Sequence, residues 1–134
     1  HEADRFLYKM LPIQAALIGG SCPEKCELTG DLVDDFTVTA GAIELGVLHT
    51  PGHTPGSVSF VLRAAAGGDE VAFTGDTLFK GSIGRTDLWG GDKKLILASL
   101  RGPLMALDDA VRVVPGHGPE SRIGHERSHN PFVR

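Results

Sequence analysis

The hydrophobic and polar positions divide the chain into a helical beginning, a strand-rich middle and a helical end. Asp4 reads as an N-cap, and residues 5–11 as a short helix that Pro12 stops or kinks. Residues 14–28 are weakly patterned, with Gly19-Gly20 and Pro23 as breakers, and residues 31–36 form an acidic connector. From Phe36 the pattern turns to strands. Residues 37–39, 42–45 and 47–48 predict short ones, separated by Gly41 and Gly46. The run SVSFVL at 57–62 predicts a strong strand, residues 64–69 (AAAGGD) a turn, and residues 70–74 the returning strand of a hairpin.

Residues 80–91 read as a long glycine-punctuated loop. Asp92 then caps a helix with Ile96, Leu97, Leu100 and Leu104 on one face, which Gly102-Pro103 kinks or interrupts. Residues 110–114 predict a buried strand ending at Pro115, and residues 122–128 a final short helix. The whole is an α/β pattern with no internal repeat. Three glycine-rich segments each follow a strand, at 49–56, 75–79 and 115–118. Loops at strand ends are where α/β scaffolds build their sites.

Composition narrows the reading. At 134 residues the chain has the size of one domain, or of part of a larger one. Hydrophobic residues at 41% exclude a disordered chain. No apolar run reaches the ~18 residues of a membrane span, and the N-terminus does not read as a signal peptide. Thirteen basic against 17 acidic residues, with no Lys/Arg cluster, give no nucleic-acid footprint. The partner expected is therefore a small molecule, with neither nucleic acid nor membrane. Two cysteines cannot build a disulfide scaffold, which makes the cytoplasm the expected compartment. Glycine, at 18 residues, is close to twice its usual share of ~7%, and it gathers with the histidines in the three loops.

Each loop carries one candidate for chemistry. In HTPGHTPGS at 49–57, Pro51 and Gly52 forbid a regular helix, so His49 and His53 sit in a tight loop that aims an imidazole. In FTGDTLF at 73–79, Asp76 at a strand end can reach a metal or cap a turn. In VPGHGP at 114–119, His117 is held by a restricted backbone. Taken singly, a loop histidine bonded to backbone or a capping aspartate is the better reading. Together the three supply N, O and N donors from three strand ends, a set that suits zinc or iron.

The segments HTPGHTPGSVSF at 49–60, FTGDTLFKGSIGRTDL at 73–88, VVPGHGPES at 114–121 and NPF at 130–132 carry a resemblance. In order and spacing the chain resembles the C-terminal half of the metallo-β-lactamase superfamily, and within it the short glyoxalase II-like (hydroxyacylglutathione hydrolase-like) proteins. The resemblance implies part of an αββα sandwich, mainly its C-terminal β-layer and helices, with residues 1–134 the C-terminal portion of a single domain. It implies that His53 binds a first metal ion, that Asp76 bridges two ions and orients the nucleophile, and that His117 binds the second. Zinc is the metal implied, with iron possible. His49 takes a supporting place, and Arg85 and Asp87 brace the loop by an ion pair. Trp89 stands where relatives often carry proline. The activity implied is metal-dependent hydrolysis of a small-molecule thioester. The competing readings are an iron persulfide dioxygenase of the same fold, another hydrolase of the superfamily, and a non-catalytic binding protein.

One motif departs from the family. Its leading HxHxDH is absent from residues 1–134, and residues 2–48 hold no histidine. The chain therefore reads as truncated. With His53, Asp76 and His117 alone, each metal keeps two protein ligands, one of them shared, where catalytic zinc takes three and a water. This stretch by itself is expected to bind metal weakly and not to catalyse. Two further motifs read as coincidences. His125-Glu126-Arg127-Ser128-His129 matches HExxH, but Asn130-Pro131 ends the helix at once and no His, Asp or Glu follows. Cys22 and Cys26, spaced CxxxC, read as two free thiols.

Overall fold

The computed structural model describes residues 1–63 and 68–134, and it bears out the α/β reading. The expected turn at 64–69 falls largely outside the described residues. Helices α1 (Arg5–Lys9) and α2 (Leu11–Leu17) open the chain. Strands β1 (Thr37–Ala40), β2 (Ile43–His49), β3 (Val58–Leu62) and β4 (Val71–Gly75) follow as an antiparallel meander. A small hairpin of β5 (Leu78–Phe79) and β6 (Ser82–Ile83) comes next, then helix α3 (Lys93–Ser99). Strand β7 (Arg112–Pro115) returns parallel to β4, β8 (Ser121–Arg122) pairs with it antiparallel, and α4 (Ile123–His129) ends the fold. The main sheet has the order β1-β2-β3-β4-β7-β8.

Strand alternation sorts the sheet into two faces. Register aligns Gly46, Val61, Ala72 and Val113 across four strands on one face, with Leu48 beside Ser59. Ala72 and Val113 join Leu78, Leu100, Leu104, Val111 and Ile123 in one buried cluster, so α3 and α4 pack on this side. The other face aligns Val47, Phe60, Phe73 and Val114. Val47 is buried there, but Phe73 keeps 39% of its surface exposed.

Local chemistry explains the elements. Asp92 caps α3 as expected, its Oδ1 accepting from the backbone N–H groups of Lys94 at 2.7 Å and Leu95 at 3.1 Å. Pro103 lacks an N–H, and the helix widens around it into a π-helical turn over Leu100–Leu104. The Met105 N–H reaches back five residues to the Leu100 carbonyl at 2.9 Å. The expected interruption is thus a change of helical pitch that still buries Leu100 and Leu104.

Several expectations are corrected. Pro12 does not stop a helix; α1 already ends at Lys9, and Pro12 lies in the first turn of α2, where a missing N–H is harmless. Part of the weakly patterned stretch is therefore helical, to Leu17. Gly46 does not separate two strands. Strand β2 runs through it because β1 and β3 pair with it on both sides. Residues 82–83 of the supposed loop form β6. Asp4 makes no cap bond to α1. Its carboxylate instead accepts from Thr54 Oγ1 and from the Gly56 N–H, both at 2.6 Å, which ties the N-terminal helices to the β2–β3 loop.

Candidate metal centre

His53, Asp76 and His117 come together at the ends of β2, β4 and β7, and each loop has a reason for its shape. The β2–β3 loop lies against α3. A side chain on Gly52, at φ +134°, would overlap Ile96. The Asp92 N–H donates to the Gly52 carbonyl at 2.8 Å, and Ser99 Oγ to that of Pro51 at 2.8 Å. His49 donates from Nε2 to the Pro55 carbonyl at 2.9 Å, closing the loop on itself. It does not line the cleft that His53, Asp76 and His117 share.

Asp76 follows β4 through Gly75, whose φ of +49° lies in the left-handed region that favours glycine. The next residue, Thr77, is buried and shares hydroxyl contacts with Thr50 at 3.3 Å, while Thr50 meets Ser59 at 3.0 Å. This buried hydroxyl cluster joins the two loops that carry His53 and Asp76. His117 follows β7, where the Gly116 N–H donates to the Gly75 carbonyl at 2.8 Å. A Cβ on Gly116 would stand 2.6 Å from Asp76 Oδ1, so only glycine lets the third loop close on the carboxylate.

The carboxylate of Asp76 faces one imidazole with each oxygen. Oδ2 lies 3.7 Å from Nε2 of His53, and Oδ1 lies 3.9 Å from Nε2 of His117. These separations exceed a hydrogen bond. His53 is also directed from behind: its Nδ1 lies 2.9 Å from the Arg85 main-chain oxygen. A carbonyl only accepts, so Nδ1 carries a proton and Nε2 is the ring nitrogen turned toward Asp76. The three residues line a cleft of ≈ 460 Å³ together with Phe79, Lys80, Ile83 and Arg85.

Arg85 and Asp87 form a two-pronged ion pair at the rim, with both bonds at 2.8 Å, as expected of them. The Arg85 hydrogen bonds hold the Asp87 carboxyl down to about 2. Nearby, Trp89 takes a left-handed φ of 36°, a shape that proline cannot adopt.

The donor set fits a metal site in part. Two imidazoles and a carboxylate oriented between them offer one nitrogen and one oxygen to each of two positions, and the glycine cradle leaves the carboxylate oxygens uncovered. Among the described residues no group of three or more His, Cys, Asp and Glu side chains is placed to hold one metal ion, His53, Asp76 and His117 included. The HExxH histidines stay outside the cleft. His125 and His129 stack on each other on the exposed side of α4, and Glu126 is buried away from them. Cys22 and Cys26 are exposed free thiols.

The family model of the metallo-beta-lactamase superfamily matches residues 27–117. The chain belongs to this superfamily. Its relatives include an uncharacterized protein of Mycobacterium tuberculosis, 43% identical over 99% of this chain and 62% of the relative. They also include hydroxyacylglutathione hydrolase GloC of Haemophilus influenzae, 38% identical over 99% of this chain and 61% of the relative. Among solved structures, the BLEG-1 B3 metallo-beta-lactamase superposes with a TM-score of 0.85 at 39% identity, over 99% of this chain and 63% of that one. TTHA1623 in a di-iron-bound form gives 0.83 at 38% identity, over 98% and 62%. This chain therefore spans about three fifths of the length of the relatives it matches. Members of the superfamily bind metal ions and are mostly hydrolases. No described helix is long and apolar enough to cross a membrane.

Sequence reasoning missed two sets of supporting residues. Asp4 holds the His53 loop from fifty residues away, a contact with no local signal. Ser59 was legible only as a polar residue inside a strand-like run, and Thr50 and Thr77 as polar residues of two glycine-rich loops, which is a weak sign of a buried network.

Proposed function

We propose that this chain is the C-terminal portion of a metal-dependent thioester hydrolase of the hydroxyacylglutathione hydrolase type. The observation that carries it is Asp76, with one carboxylate oxygen turned to His53 and the other to His117. His53 and His117 would each hold one metal ion and Asp76 would bridge them. The remaining donors would come from a part of the domain outside residues 1–134. When bound, the ions supply Lewis acidity and a source of hydroxide near neutral pH. Zinc is the first candidate. Iron is the second, favoured by the di-iron form of TTHA1623.

The chain's own residues prepare that chemistry. Asp76, fixed by the Gly75 and Gly116 turns, keeps two half-sites in register. Arg85 fixes the tautomer of His53 through its carbonyl. Lys80 brings a cation to the cleft that suits an anionic acyl thioester, the charge of Arg85 being met by Asp87.

The resemblance to BLEG-1 supports a second reading, hydrolysis of β-lactams. Assay of the intact, metal-loaded protein with S-lactoylglutathione and with a chromogenic cephalosporin separates the two. Thioester turnover that Asp76→Asn abolishes is the expected result. Turnover retained in Asp76→Asn removes the bridging role, and turnover of the cephalosporin alone transfers the assignment to the second reading.

A further inference from the structure

His53 and His117 are held by different means. His53 has the Arg85 carbonyl behind it, but no hydrogen bond from the described residues holds the His117 ring, whose side chain is 74% exposed. Its ring lies beside that of Phe79, 4.6 Å away between centroids and tilted by 36°. Phe79 ends β5, so the position of that ring is the position of the β5–β6 hairpin.

The hairpin in turn is gripped from the opposite side by the two fully buried polar residues of α4 and its C-terminal end, Glu126 and Asn130. Glu126 Oε2 accepts from the Gly81 N–H at 2.9 Å and from Asn130 Nδ2 at 2.8 Å. Its other oxygen accepts from the Ser121 hydroxyl. Asn130 Nδ2 also donates to the Ser82 carbonyl at 3.1 Å, and Asn130 Oδ1 accepts from the Phe132 N–H at 3.0 Å. Asn130 Nδ2 also lies 3.5 Å from the Phe79 carbonyl, so one N–H and two carbonyls of the hairpin are engaged. A buried carboxylate served by neutral donors is a costly way to fill space, where an apolar side chain would pack as well. Its distinct property is direction: with Asn130 it ties the hairpin to α4 at Gly81, Phe79 and Ser82.

We propose that Glu126 and Asn130 are positioning residues for the His117 half of the centre. They act through the β5–β6 hairpin and the Phe79 ring, in the place that a direct hydrogen bond takes at His53. The inference rests on the proposed role of His117 as a metal ligand.

The test uses the intact protein with Glu126→Gln, Phe79→Leu, their double variant, and Arg127→Ala. Arg127 holds the Met105 and Leu107 carbonyls on the far side of α4, so its loss loosens the helix away from the hairpin. Two quantities are read: the NMR resonances of the His117 ring in metal-free protein, and zinc affinity by competitive titration. Glu126→Gln is expected to shift the His117 resonances and weaken zinc roughly 10-fold, as outer partners of ligands do. Phe79→Leu should weaken zinc similarly, and the double variant no more than either single one, since both act on one path. Arg127→Ala should change neither quantity. Unchanged resonances and affinity in a folded Glu126→Gln overturn the proposal, as does an equal effect of Arg127→Ala. Should Glu126→Gln not fold, undiminished zinc affinity in Phe79→Leu overturns it alone. His117→Ala separates the underlying reading: zinc affinity unaffected by it removes His117 as a ligand, whatever the hairpin does.

Discussion

His53 donates its Nδ1–H to the main-chain carbonyl of Arg85 at 2.9 Å. The residue before Arg85 makes that approach possible. A Cβ on Gly84 would overlap the main-chain oxygen of Asp76 and stand 3.3 Å from His53 Nδ1. Gly84→Ala must therefore displace the Gly84–Arg85 segment from the Asp76 turn and from His53, two of the proposed ligands. Overpacking of this kind costs about 1–3 kcal/mol. The expected outcome is that loss in urea unfolding, together with a fall in zinc affinity of roughly 10-fold or more. Wild-type affinity in the variant contradicts the close packing described.

Thr50→Val keeps the shape of a residue with no exposed surface and deletes its hydroxyl. Ser59 Oγ and Thr77 Oγ1 lose a partner at 3.0 and 3.3 Å. An unsatisfied buried polar group costs about 1–3 kcal/mol. Chemical denaturation should show a loss in that range. The larger consequence is expected at the centre, because Thr77 adjoins Asp76: metal affinity should fall in Thr50→Val more than in Leu107→Ala, which loosens the core away from the site.

The Arg85–Asp87 pair gives a pH signature. Asp87 ionises at about 2 in the folded chain, against its ordinary 3.8, because the Arg85 hydrogen bonds favour the carboxylate. The folded value lies below the unfolded one, so the pair contributes stability that is present above pH 3.8 and is lost as pH falls toward 2. Both side chains are more than half exposed, which keeps the contribution small and sensitive to salt. Urea midpoints measured across that interval should flatten in Asp87→Asn, and in the wild type at high salt. A slope unchanged by both treatments assigns the acid sensitivity to other carboxylates.

Much of this was readable from residue order, for identifiable reasons. Alternation in SVSFVL and the hairpin to 70–74 gave β3 and β4, because a strand with one core-facing side writes a period of two into its sequence. Asp92 before an apolar stripe gave the start of α3, because the cap bond is local. What failed depends on distant partners. Gly46 looked like a breaker, yet pairing on both flanks overrides its poor strand preference. Strands β5 and β6, two residues each, are too short to show a period. The trio His53, Asp76 and His117 was legible because each stands in a glycine- or proline-shaped loop. The Glu126 grip was not, since nothing near Gly81 in sequence announces a partner in α4.

The parallel pairing of β4 with β7 has a kinetic consequence. Parallel strands need a long crossover, and here it contains the small hairpin, α3 and the π-helical turn. Asp76 leaves one of these strands and His117 the other. The contact between them closes only when the whole crossover is in place, and contacts of large sequence separation carry a high closure entropy and form late. The centre is therefore expected to assemble after the local hairpins. If Asp76 bridges two ions as proposed, a metal ion added during refolding should be captured only after the crossover has closed, which makes metal capture a clock for a late step of folding.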